Sequence, residues 1–183
     1  MKPLHRKLAT LLSGTADGQP VMVEGGFLWM PRPEIAPAAY RHRVYDGLNA
    51  DGLRQVEGRY GARANKYALE WLSAANGARL FDGALILKGL VASEKRDPTS
   101  PLGQPISLDF GNLLGNPTFA SADHFIAGTF IFEDDLLPII LDSNGEVAVF
   151  EDGAELERWD SIWDFIADSG KWIVTHQSPK SRR

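Results

Sequence analysis

The chain has 183 residues, of which 44% are hydrophobic, and its 19 Lys or Arg against 24 Asp or Glu leave a net charge of −5. These values suit one globular domain and exclude general disorder. With no cysteine in the chain, disulfides, thiolate catalysis and cysteine-based zinc sites are excluded as well.

Lys2–Leu12 predicts a short helix with Leu4, Leu8, Leu11 and Leu12 on one side, broken by Gly14, Gly18 and Pro20. The basic start carries too short an apolar stretch for a signal peptide. No run approaches the roughly 20 apolar residues of a membrane helix. The expectation is a soluble, cytoplasmic protein. "VMVEGGFLWM" predicts an edge strand or hairpin arm, and the prolines of "PRPEIAP" forbid regular structure after it.

Two helices follow. One covers Asp51–Tyr60, with Asn49 or Asp51 as N-cap and Gly61 as its stop. The other covers Asn65–Ala75, where Tyr67, Ala68, Trp71, Leu72 and Ala75 form an apolar stripe. Asn76 and Gly77 tolerate positive φ and predict its C-terminal cap. "ALILKGL" then predicts a buried extended run, and "SEKRDPTSPLGQP" a polar loop. "ISLDFGN" alternates, with Ile106, Leu108 and Phe110 on one side.

From His124 onward the pattern is mostly β. "HFIAGTFIF", "LLPIIL", "EVAVF" and a short strand within "EDGAELERW" are separated by "EDD", by "DSNG" with its Asn144-Gly145 turn, and by a second acidic turn. "DSIWDFIADSG" predicts a closing helix that starts at a Ser161–Asp164 capping box, buries Ile162, Phe165 and Ile166, and ends at Gly170. "KWIVTH" reads as a last strand or an extended tail. Early helices, late strands and one closing helix predict an α+β fold: helices packed on an antiparallel meander sheet. No β-α-β alternation supports a Rossmann-like arrangement.

The net charge hides an asymmetry. Between Asp123 and Asp164 stand twelve Asp or Glu and a single basic residue, Arg158. Such a field disfavours nucleic acid and favours a basic partner; it also serves plain solubility.

A search for catalytic patterns turns up little. His5, His42, His124 and His176 form no compact ligand pattern, and His124 suits a structural role. His42 lies between Arg41 and Arg43, which disfavour its charged form. There is no G-x-S-x-G elbow, P-loop or G-x-G-x-x-G. The three adjacent acids Glu133–Asp135 point in different directions, as a solvated turn does, and "DSNGE" lacks EF-hand spacing. Of the five tryptophans, Trp71 fits the core stripe of its helix, while Trp163 lies off the buried line of the closing helix.

The succession of these elements resembles the SMI1/KNR4 (SUKH) superfamily over Gly47–Asp168. Tyr67, Trp71, Leu72, Asn76, Gly77, Gly83, Leu85 and Gly89 match its helix, Asn-Gly joint and apolar strand. "PISLDFGN", "FIAGTFIFEDDLLPIILDSNGEVAVFED" and "ELERWDSIWDFIAD" match its later segments. The resemblance implies an SMI1/KNR4-like domain at 47–183, with residues 1–46 an N-terminal extension or elaboration. It further implies a non-enzymatic bacterial immunity protein that binds and neutralises a cognate toxin, such as a nuclease; the alternative is a regulatory or scaffold protein with another intracellular partner. On that reading no cofactor, metal, nucleic acid or membrane is required. A basic toxin domain would dock on Glu133, Asp134, Asp135, Glu151, Asp152 and Glu155.

Overall fold

The computed structural model describes residues 3–14, 16–36, 39–91, 100–132 and 135–176. Nine strands form one antiparallel sheet in sequence order: β1 (Val21–Val23), β2 (Gly26–Pro31), β3 (Tyr40–Asp46), β4 (Ala75–Leu80), β5 (Leu85–Leu87), β6 (Phe125–Phe132), β7 (Asp135–Leu141), β8 (Val147–Glu151) and β9 (Ala154–Trp159). The helices are α1 (Pro3–Leu12), α2 (Ala50–Tyr60), α3 (Lys66–Ala74), the single irregular turn α4 (Asp109–Asn112) and α5 (Ile162–His176). The fold is α+β with a meander sheet, as the sequence predicts. Among the described residues no helix is long and apolar enough to cross a membrane.

Alternation along the strands decides which face takes the helices. Phe27, Val44, Ala78, Leu85, Leu87, Phe125, Ile139 and Val147 form one core with Leu8 and Leu12 of α1, Val56 and Tyr60 of α2, Trp71 and Leu72 of α3, and Phe165 and Ile166 of α5. The first 46 residues, read from sequence as an extension or elaboration, therefore supply three strands of the same sheet and two leucines of the same core. On the opposite face Leu28 and Tyr45 make a small cluster with Leu102, and Tyr45 Oη donates to Gln104 O at 2.7 Å.

Two helix starts follow their predicted caps, at Asn49 and Ser161, and Asn65 caps a third. Asn49 Oδ1 accepts from Gly52 N–H at 3.0 Å, and Asn65 Oδ1 from Tyr67 and Ala68 N–H at 3.0 Å each. Ser161 Oγ accepts from Asp164 N–H at 3.2 Å, which begins α5.

The Asn76-Gly77 joint is not a helix cap. Helix α3 stops at Ala74, Ala75 is already extended, and Asn76 and Gly77 lie inside β4. Asn76 Nδ2–H donates to Leu90 O at 2.9 Å while its Oδ1 accepts from Leu90 N–H at 2.6 Å. Gly77 has φ 87°, and a Cβ there would sit 2.8 Å from Leu87 O; one on Gly89 would sit 2.2 Å from Asn76 O. The motif is a clamp that lets two backbones close onto each other.

One strand goes unread and two other expectations fail, each for a local reason. Strand β3 was hidden by the charged run Tyr40–Asp46, whose buried His42, Val44 and Tyr45 carry its packing. "ISLDFGN" is no strand. Asn112 turns inward, donating to Leu108 O at 2.9 Å and Ile126 O at 3.0 Å and accepting from Ile126 N–H at 2.9 Å. Lys88 Nζ donates to Phe110 O at 2.6 Å beneath the same turn. Finally, α5 runs through Gly170 to His176, so "KWIVTH" is helix; there Ile173 is buried and Trp172 packs against the core. A single glycine costs a helix about 1 kcal/mol, less than the burial of those side chains returns.

Candidate functional site: an acidic sheet end beside an aromatic cleft

The last three strands place the predicted acids. Strands β8 and β9 are joined by a two-residue turn, Asp152-Gly153, since Glu151 pairs with Ala154. Asp152 has φ 49° and Gly153 φ 87°, the positive pair that a tight hairpin of this hand requires. The turn between β7 and β8 is longer: Leu141 pairs with Val147, and Asp142 Oδ1 accepts from Asn144 N–H at 2.8 Å and Glu146 N–H at 3.0 Å. "DSNGE" is thus a hairpin loop tied by its own aspartate.

Asp135, Glu151 and Asp152 come together around a small cleft of about 150 Å³ with Leu136, Leu137, Pro138 and Phe150. All three acids are exposed and have no ionic partner among the described residues. Leu136 beside them is 68% exposed. Glu133 and Asp134 lie outside the described residues.

Glu155 is differently engaged. Arg158 Nε–H donates to Glu155 Oε1 at 2.9 Å, and Arg158 also meets Glu146 at 2.8 Å and Asp142 at 3.2 Å. Hydrogen bonding to Arg158 holds the Glu155 carboxyl below its usual range. The cause is a register shift: Val149 pairs with Glu157 but Phe150 with Glu155, so Leu156 is an extra residue bulged out of β9. Without the bulge, alternation would put Glu155 and Glu157 on one face. With it, Glu155 joins Arg158 on the face away from α5, and Glu157 shares the covered face with Val149 and Trp159.

Sequence reasoning missed Glu157 and what lies beside it. Between α5 and strands β6–β9 is a cleft of about 520 Å³, lined mainly by Phe130, Phe132, Trp159, Phe165 and Trp172, with Glu157 and the ion pair of Lys171 and Asp168 at its rim. Trp172 packs on Phe130 and Phe132 with ring centres 5.8 and 5.1 Å apart, and Trp159 on Phe165 at 4.9 Å. The aromatic residues on the sheet were legible; that α5 continues as helix past Gly170 and carries Trp172 over them was not. Trp163, off the buried line of its helix, packs edge-on against Trp71 at 5.6 Å, with Lys7 Nζ 4.1 Å from its ring centre.

The titratable groups elsewhere are tied into the fold. His42 is fully buried, its Nδ1 accepts from Phe81 N–H at 3.4 Å, and burial, then Arg41, lowers its pKa to about 3. Burial brings Lys88 down to about 8. Asp109 accepts from Arg59 Nε–H at 2.7 Å and Tyr60 Oη–H at 2.9 Å, which straps α4 to α2; the Arg59 hydrogen bond chiefly lowers its pKa. His124 Nδ1 accepts from Ser121 N–H at 3.2 Å ahead of β6. Neither described cleft has a histidine in its lining. Among the described residues no group of His, Asp or Glu is placed to hold a metal ion. The two clefts bring carboxylates and apolar side chains side by side. Comparison of the chain with protein-family models, curated proteins and solved structures finds no match.

Proposed function

We propose that the chain is a non-enzymatic, cytoplasmic binding protein of SMI1/KNR4 type, an immunity protein that neutralises a basic toxin domain. The partner docks on the β7–β9 end of the sheet. One observation carries this reading: Asp135, Glu151 and Asp152 converge around the exposed Leu136, with no cation paired to them among the described residues. Unmatched charge of one sign around an apolar centre favours a partner of the opposite sign, steering its approach and excluding like-charged competitors. Glu155 stands apart from this patch because Arg158 already neutralises it.

The test is affinity capture from the native organism, followed by association kinetics. The captured partner should be a protein with a basic surface, and the triple variant D135K/E151K/D152K should associate roughly tenfold or more slowly at low salt, with the difference shrinking as salt rises. An unchanged association rate would sink the docking surface. Capture of a basic intracellular protein without toxin activity would replace neutralisation by regulation.

A further inference from the structure

The cleft between α5 and β6–β9 has a composition that constrains its occupant. At about 520 Å³ it falls within the roughly 300–1,000 Å³ of small-ligand pockets. Its lining holds two groups of packed rings: Phe130, Phe132 and Trp172 in one, and Trp159 with the buried Phe165 in the other. Of the two rim carboxylates, Asp168 is matched by Lys171 at 2.9 Å. Glu157 has no ionic partner among the described residues, and it shares a sheet face with Trp159.

An aliphatic side chain entering here would strip water from Glu157 and offer nothing in return, which is costly for an ionised carboxylate. A cation is favoured twice, by the ring faces and by the carboxylate. A planar guanidinium on an apolar stem suits both better than a compact ammonium, since it stacks on rings and is less strongly hydrated. Leu137 is in the lining of both this cleft and the small acidic one, so the two lie at the same end of the sheet. We infer that the aromatic cleft receives an arginine side chain of the bound protein, with Glu157 as its counter-ion. The inference rests on the docking reading above, and supplies the central anchor that rim charges alone do not.

Two experiments separate the inference from the reading. The first needs no partner. N-acetyl-arginine amide and its neutral isostere N-acetyl-citrulline amide are titrated while the ¹⁵N signals of the indole N–H groups are followed, assigned by W159F and W172F. Arginine amide should shift Trp159 and Trp172 and leave the buried Trp29 and Trp71 in place. Citrulline amide should bind at least about fivefold more weakly, and E157Q should remove that preference. The exposed Glu70 on α3 is the control, and E70Q should bind as the parent does. Equal affinity for the two amides, or no shift at Trp159 and Trp172, would overturn the inference. The second uses the captured protein: E157Q should speed dissociation roughly tenfold and leave association nearly unchanged. If dissociation is unchanged while D135K/E151K/D152K still slows association, the anchor is refuted and the docking surface stands. If no partner is captured, the docking reading fails and the amide titration still decides the chemistry of the cleft.

Discussion

Trp71 and Trp172 both lie on helices that cover the same face of the sheet, yet their surroundings differ. Around Trp71, α3 lies directly on its sheet: Leu72, Leu80 and Leu85 are fully buried, and the Asn76 clamp draws β4 onto the chain beyond β5. Around Trp172, the rings of α5 pack on those of β6 and β9 and leave a cleft of about 520 Å³ beside them. One end of the sheet uses aromatic bulk to exclude water; the other leaves aromatic surface accessible beside unmatched acids. A fold that could close both ends with the same residue types and closes only one has surface to offer at the other.

Truncation tests this difference with the largest effect. Trp71→Ala removes a side chain 1% exposed and should cost about 3–5 kcal/mol of stability in urea unfolding. Trp172→Ala should cost roughly 1–2 kcal/mol, because much of its surface already borders open space. Equal costs would mean that the cleft is closed in solution. Asn76→Ala comes next. It deletes a donor and an acceptor that meet Leu90, leaving that backbone unpaired, and should cost about 1–3 kcal/mol. Asn76→Asp keeps the acceptor alone and should fall between.

How much of this is legible in the sequence differs along the chain. The cap at Asn49, the hairpins of β6–β9 and the stripe of α3 follow from local chemistry and period, so they are readable. Asn76-Gly77 was read as a stop because the same residue pair that ends helices also permits close backbone approach, and only the partner at Leu87–Leu90 distinguishes the two. "ISLDFGN" alternates like a strand, but Asn112 satisfies the backbone of Ile126 and makes a turn the better use of the segment. The acidic patch is visible as composition but not as geometry: Asp135, Glu151 and Asp152 meet, whereas one bulged residue, Leu156, sends Glu155 to Arg158 and leaves Glu157 beside the rings. A one-residue shift of register leaves no mark in composition or period.

The closed end also carries a pH signature of its own. His42 is held neutral, with a pKa of about 3 against an ordinary value of 6.5. Above 6.5 neither folded nor unfolded chain binds this proton, and stability is insensitive to it. Below 6.5 the unfolded chain takes up the proton and the folded chain does not, so stability falls as pH drops toward 3, at up to about 1.4 kcal/mol per pH unit. Carboxylates elsewhere add to the acid loss, so the useful quantity is a difference of slopes. His42→Leu should show a shallower decline than the parent between pH 6 and 4, whatever its absolute stability. Parallel declines would place a proton on His42 in the folded state and loosen the packing of Phe81 against it, whose rings lie 5.0 Å apart.

The smallest effect falls on the residue that the bulge removes from the acidic patch. Glu155→Gln breaks an exposed ion pair in which Arg158 keeps Glu146 and Asp142 as alternatives, so stability should change by less than about 1 kcal/mol. Its informative consequence is electrostatic. With Glu155 neutral, Arg158 retains two carboxylates and the Asp135–Glu151–Asp152 cleft keeps its full charge. Association with a basic partner should then slow far less than in Asp152→Asn, which removes the same single charge from the cleft itself. A slowing as large as that of Asp152→Asn would mean that charge at this sheet end acts as a diffuse total rather than through the acids the register brings together. The bulge would then matter for packing and not for recognition.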